Sequence, residues 1–316
     1  MGQEAHAGFS CNVSAAALNF GTIDIIAAQS GVYPTMTAPI SVSCTGVTSG
    51  TATVCLFYKN NNQSGGTYYN TLTGASSGQS AGFQVFGDAA YQTLWGNKNI
   101  PSPIKILVDL ATNKTTPSPT VYGKMIGIPT PFSQLAFDSY TNSVNNSVTS
   151  FDYSLGDLDC NGAWANQNKS GFTFTVTATV AAQCAISTAA NDLNFGSVSA
   201  GMGTVTGSTA FGVTCTNGTP YYIGLLPSNG NTAGAGVMTS VANAATNTDQ
   251  VPYQLRSTSG TSGTIWGNTA TSTSVGNGVA GTGTGSAASY NIYGTATVAN
   301  YTPDSYQDQV VINVNY

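Results

Sequence analysis

An internal repeat constrains this chain more than any other feature. Cys11-Asn-Val-Ser, Leu18-Asn-Phe-Gly21 and Val42-Ser-Cys44-Thr return later as Cys184-Ala-Ile-Ser, Leu193-Asn-Phe-Gly196 and Val213-Thr-Cys215-Thr. Trp95-Gly-Asn97 returns as Trp266-Gly-Asn268, Val121-Tyr-Gly123 as Ile292-Tyr-Gly294, and Ser139-Tyr140 as Ser305-Tyr306. The offset stays near 171 residues, the distance from Trp95 to Trp266. Order and spacing hold together, so the 316 residues divide into two homologous domains of ordinary size, about 1–165 and 166–316.

Each copy reads as strand. Charged residues make up 6% of the chain, against roughly 25% in an average globular protein. Ser, Thr, Asn and Gly supply the polarity instead, which suits pleated strands joined by turns. Hydrophobic residues at 41% and aromatic residues at 10% supply enough apolar surface to offset chain entropy. In Phe172-Thr-Phe-Thr-Val-Thr-Ala-Thr-Val180 the apolar side chains alternate with Thr, and Val310-Val-Ile-Asn-Val-Asn-Tyr316 sends Val310, Ile312 and Val314 to one face. No stretch of ten residues carries a clean 3.6 period. The expected class is all-β, two tandem immunoglobulin-like β-sandwiches. The run 172–180 has two readings: it completes the first sheet from within the chain, or it opens the second domain.

Six cysteines stand at 11, 44, 55, 160, 184 and 215, and the single His6 lies near the N-terminus. An even count with no C-x-x-C pair favours disulfides over zinc, and an oxidising compartment. The separations from Cys11 to Cys44 and from Cys184 to Cys215 are 33 and 31 residues, which suggests one equivalent bridge per domain. Cys55 and Cys160 have no counterpart and are left to pair with each other. Seven scattered cations and a net charge of −5 argue against nucleic acid as a partner. Residues 1–8 lack the apolar core of a signal peptide, and no run is long enough for a membrane helix. No Ser-His-Asp arrangement, paired carboxylates or calcium loop points to an enzyme, metal or cofactor. Asp152, Asp157 and Asp159 read as a solvated turn between domains.

These landmarks resemble the spore-coat-U-like domain of archaic, Csu-type chaperone–usher pili: the early Cys, Leu-Asn-Phe-Gly, Val-x-Cys-Thr, Trp-Gly, Tyr-Gly, and a closing Tyr-x-Asp before an alternating strand. Domain 2 fits along nearly its whole length, including Ser305-Tyr-Gln-Asp308. Domain 1 fits more loosely, with Tyr140-Thr-Asn142 in place of Tyr-Gln-Asp. The resemblance implies that the C-terminal domain is an incomplete pilin domain lacking its last strand. A periplasmic chaperone fills the gap first, and a donor strand from the next pilus subunit follows at the outer-membrane usher. It implies contact with chaperone or donor strand at Val310, Val311, Ile312, Val314 and Tyr316. Ten residues without an alternating pattern precede Cys11, which leaves no strand to donate and suggests the extracellular pilus tip.

The expected contact with a surface lies in domain 1. Two of its loops, 22–34 and 125–132, are apolar where their domain 2 counterparts are Gly-rich or polar. If the last strand of domain 1 runs towards domain 2, both loops lie at the opposite end. Ile25, Ile26, Ala27, Ala28, Val32, Tyr33 and Pro34, with Ile126, Ile128, Pro129 and Phe132, would then meet a hydrophobic surface in biofilm formation. The competing reading is that such residues fill the core, most of all Ile23, Ile25, Met125 and Phe137. A structural shaft or coat subunit, or a lectin-type glycan binder, would share this composition.

Overall fold

The computed structural model describes residues 8–28, 32–96, 102–117, 119–162, 165 and 170–316. Strand accounts for 53% of the described residues and helix for 2%. Two compact units are present, Met1–Ala181 and Ala182–Tyr316.

Domain 1 contains strands β1 (Ser10–Ala15), β2 (Leu18–Ile23), β3 (Thr35–Thr45), β4 (Thr51–Tyr58), β5 (Asn62–Ser64), β6 (Thr67–Gly74) and β7 (Ser80–Phe86). They are followed by β8 (Ile104–Asp109), β9 (Lys114–Thr116), β10 (Thr120–Ile126), β11 (Asp138–Val144), β12 (Thr149–Leu155) and β13 (Phe174–Val180). One sheet runs β1-β3-β10-β7-β6-β11-β13-β2, with β5 paired to β6; the other runs β12-β4-β8-β9. The inner faces meet in a core that includes Val54, Leu56, Leu72, Phe83, Trp95 and Val121.

The pairing of β13 decides between the two readings of the run 172–180. It lies antiparallel to β11, from Asp138↔Val180 to Val144↔Phe174, and parallel to β2 on its other side. Phe172, Phe174, Val176, Ala178 and Val180 all enter the domain 1 core, and the alternating threonines face outward or lie half-buried. The alternation is therefore the signature of a central strand that seals one side of a sandwich. The expected division at 165/166 assigns this strand to the second domain, whereas its hydrogen bonds place it in the first. Ahead of it, Ser170 bridges to Phe151 of β12, and the Phe172 backbone N–H donates to the Thr149 hydroxyl at 3.4 Å.

Domain 2 repeats the plan with β14 (Cys184–Thr188), β15 (Gly203–Cys215), β16 (Pro220–Pro227), β17 (Ala235–Ser240) and β18 (Gln250–Arg256). Strands β19 (Val279–Thr282), β20 (Ala287–Val298), β21 (Tyr306–Gln307) and β22 (Val310–Asn315) complete it. Its sheets are β14-β15-β20-β18-β17-β21 and β19-β16-β22. Disulfides join Cys11 to Cys44 and Cys184 to Cys215, each tying the domain's first strand to its antiparallel neighbour. Cys55 of β4 bonds to Cys160, beyond β12. Asp152 is buried within β12 rather than set in a solvated turn, while Asp157 pairs with Lys105 at 2.5 Å.

Truncating Phe174 to Ala should lower domain 1 stability by about 3–5 kcal/mol through the cavity it leaves. Thr175→Ala on the outward face should cost within about 0.5 kcal/mol. Urea denaturation of the two variants beside the parent chain measures both.

Candidate functional site

The repeated motifs build the same frame twice. In Leu18-Asn-Phe-Gly21 the Gly21 N–H donates to the Asn19 side-chain oxygen at 2.8 Å, and Gly196 donates to Asn194 at 2.7 Å. This turn presses Leu18 and Phe20 against Gly123, where an added Cβ would lie 3.0 Å from the Phe20 ring; Leu193 and Phe195 press on Gly294 at 2.9 Å. The Tyr-Gly motif thus exists because the Leu-Asn-Phe-Gly turn lies against bare backbone. The two repeated tryptophans are buried and donate their indole N–H to β4 and its counterpart, Trp95 to Leu56 O at 3.0 Å and Trp266 to Ile223 O at 2.8 Å. Tyr140 and Tyr306 donate their hydroxyls to the carbonyls of Ala136 and Thr302 four residues upstream.

Within that common frame the two domains differ at one sheet edge. In domain 1, β13 lies between β11 and β2. In domain 2 the counterpart of β11, β21, ends its sheet, and nothing among the described residues pairs with its outer edge; β22, like its counterpart β12, also ends a sheet. Leu193-Asn-Phe-Gly196, the counterpart of β2, is not a strand. Leu18 is fully buried, but Leu193, Phe195, Tyr301, Tyr306, Val310, Ile312 and Val314 are only half-buried against their core. Val311 and Tyr316 are 55% and 50% exposed. The result is a groove of apolar side chains beside an unpaired backbone edge, a template for strand addition.

Polar contacts hold the rim of this groove. Where the chain passes from β21 to β22, the Asp308 carboxylate accepts the Tyr253 hydroxyl at 2.6 Å and the Ser228 hydroxyl. Burial, and then that carboxylate, hold the Tyr253 phenol above its usual range. Asp304 accepts from Ser240 at 2.5 Å, Asn247 at 3.0 Å and Asn243 at 3.2 Å, clasping the 241–249 loop. The Ser240 bond, followed by that of Asn247, holds the Asp304 carboxyl well below the usual carboxylate range.

The apolar loops of domain 1 require correction. Asp24 caps a single helical turn, α1 (Ile25–Ala28), by accepting the N–H groups of Ile26 at 3.0 Å and Ala27 at 2.9 Å. That turn rotates Ile25 and Ala28 into the core, while Ile26 stays half-buried and Ala27 exposed. Ile126 is buried at the end of β10, and Phe132 is buried in a 3-10 turn, its ring stacked on Tyr33 at 5.1 Å. Ile23 and Met125 lie in the core, whereas Phe137 is exposed. Val32 at 75% and Tyr33 at 37% are exposed, as is Pro129; Pro34 and Ile128 are half-buried. These loops are not at the end opposite the chain's exit. Val180 lies beside both Ile23 and Asp138, because β13 carries the chain back to the end that bears them.

The sequence profile of the Spore Coat Protein U domain matches residues 2–146 and 171–313. The second match starts at 171, ahead of β13, although that strand folds with domain 1. No curated protein matches the chain in sequence. Among solved structures, a chain of the CsuC–CsuE chaperone–tip adhesion subunit pre-assembly complex from archaic chaperone-usher Csu pili of Acinetobacter baumannii aligns with TM-score 0.53 and 17% identity. The alignment covers 97% of this chain and 100% of that one. The CssB subunit of enterotoxigenic Escherichia coli colonization factor CS6, complemented with a donor strand from CssA, aligns with TM-score 0.32 and 13% identity, over 54% of this chain and 97% of that one.

Hydrogen exchange of the isolated chain should distinguish the two copies of the motif. Those amides of residues 18–23 that donate to β13 should be strongly protected, and the equivalent ones of 193–198 should exchange at least 100-fold faster. Equal protection would mean that the groove of domain 2 is closed.

Proposed function

The chain belongs to the Spore Coat Protein U domain family, and on that premise we propose that it is a tip adhesin of a chaperone–usher pilus. The fold, nearly all strand in two pilin-like domains, is that of chaperone–usher pilus subunits. The observation that carries the reading is the contrast between the two copies. Domain 1 has its groove filled by β13 of the same chain, and domain 2 presents the same groove unfilled. A subunit built this way offers one acceptor site, at β21 and β22. A periplasmic chaperone occupies it first, and a strand of the next subunit replaces the chaperone at the outer-membrane usher. The disulfides suit passage through the periplasm to the cell surface. Val310, Ile312 and Val314 form the acceptor floor, with Val311 and Tyr316 on its outer side.

Domain 1, already complete, is then available for attachment in biofilm formation. Of the apolar loop residues, Val32, Tyr33, Ile128 and Pro129 remain to meet a hydrophobic surface, flanked by Ala27 and Pro34. Burying roughly 200 Å² of such surface would yield roughly 5 kcal/mol before ordering costs, and many pili acting together multiply a weak contact.

Two experiments test this reading. Ile312→Asp with Val314→Asp should abolish co-purification with the cognate chaperone, and retained capture would rule out β22 as the acceptor. Val32→Ser with Tyr33→Ser should reduce attachment of piliated cells to plastic at least tenfold while pilus number is unchanged. Undiminished attachment would remove these loops from the adhesive surface.

A further inference from the structure

We propose that the groove of domain 2 selects an incoming strand with aliphatic, not aromatic, side chains beside Ile312, and thereby rejects strands of the Phe172–Val180 type that fill domain 1. This rests on the strand-accepting reading of domain 2 and specifies its partner.

The two grooves can be superimposed residue by residue from their pairings. Trp95 bonds to Leu56 O and Trp266 to Ile223 O, so Leu56 corresponds to Ile223. Opposite them lie Phe151 and Val314, and two residues away Thr149 corresponds to Ile312. By the same register Val310 takes the place of Ser147, and β21, which ends at Gln307, has no residue at the position of Val144. In domain 1, Phe174 lies opposite Val144, and Phe172 lies beside Thr149.

Phe172 covers the tryptophan of domain 1, and Phe174 covers the tyrosine beside it. Phe172 stacks on Trp95 at 6.1 Å and 20°, and Phe174 lies 6.4 Å from Tyr58, itself stacked on Trp95. Domain 2 covers its tryptophan from its own sheet. Phe211 lies 6.2 Å and Tyr290 6.5 Å from Trp266, and the Tyr290 and Tyr221 hydroxyls hydrogen-bond at 2.7 Å. Phe211, four residues before Cys215, stands where domain 1 has Ile40, four before Cys44. Trp266 is only 1% exposed with no strand in the groove. An incoming Phe at the position of Phe172 finds no tryptophan face to stack on and must displace packed aromatic side chains.

The backbone anchor changes as well. The Thr149 hydroxyl hydrogen-bonds to both the N–H and the carbonyl of Phe172. Its counterpart Ile312 has no hydroxyl. The other half of the groove has the opposite need. Leu193, Phe195 and Tyr306 are half-buried where Leu18, Phe20 and Tyr140 are sealed under Val176, Ala178 and Val180. A fitting strand therefore keeps the aliphatic residues of 176–180 and loses the bulk of 172 and 174. Such discrimination stops a second copy of this chain from lending its own β13 segment to domain 2, a specificity achieved by exclusion.

The test uses two synthetic peptides, the sequence Ser170–Val180 and the same peptide with Phe172→Val and Phe174→Val. Each is added in excess to the full chain during refolding. Native mass spectrometry measures binding, and hydrogen exchange at 193–198 and 310–315 locates it in domain 2. The valine peptide should bind with a Kd at least tenfold lower than the natural sequence. Phe211→Ile in the chain should improve binding of the natural peptide. Equal or tighter binding of the natural peptide to the unmodified chain would overturn the selectivity while leaving the acceptor groove intact. Protection of domain 2 by neither peptide would overturn the acceptor groove itself.

Discussion

An extended backbone at the edge of a sheet carries donors and acceptors that demand partners, and the chain meets that demand differently in its two halves. In domain 1, β13 pairs with β11 on one side and β2 on the other while sending five apolar side chains inward. Those two effects act together. The pairing makes a strand of Leu18–Ile23, and the inserted side chains seal Leu18, Phe20 and Tyr140 from water. Where no such strand is present, Leu193-Asn-Phe-Gly196 keeps its Asn-to-Gly turn but forms no ladder, and its apolar residues stay half-buried.

The family unit and the folding unit therefore have different boundaries. The second family match starts at residue 171, yet the compact unit to which it leads starts at Ala182. The segment between them belongs to the second copy by sequence and to the first by hydrogen bonding. This is strand lending within one polypeptide, and it makes domain 1 self-sufficient. Intramolecular supply also raises the effective concentration of the strand far above that of a separate partner.

The allocation of aromatic residues follows from the same division of labour. A groove permanently filled by its own chain can rely on Phe172 to cover Trp95 and on Phe174 to cover the adjoining Tyr58. A groove that waits for a partner gains from covering Trp266 with Phe211 and Tyr290 of its own sheet, because an exposed tryptophan in an open sandwich is an apolar surface inviting aggregation. The conserved geometry of the indole N–H bond in both halves shows that the frame is held in common while the packing around it is free to vary.

Much of this was legible in the residues alone. The repeat of Cys, Leu-Asn-Phe-Gly, Trp-Gly and Tyr-Gly determined two homologous β domains, since each motif is a local device: a disulfide between neighbouring strands, a side-chain-capped turn, a buried indole bond, a glycine under an apolar pair. Alternation determined that 172–180 is a strand with one buried face. Only the tertiary structure decided which sheet that strand joins, because period-2 patterning specifies a face and not a neighbour. It alone decided which apolar loop residues reach solvent, since the Asp24 cap turns Ile25 and Ala28 inward and leaves Val32 outside. It decided too where the chain leaves domain 1, as one added strand reverses the direction of exit and no local sequence signal records how often a chain crosses its sandwich.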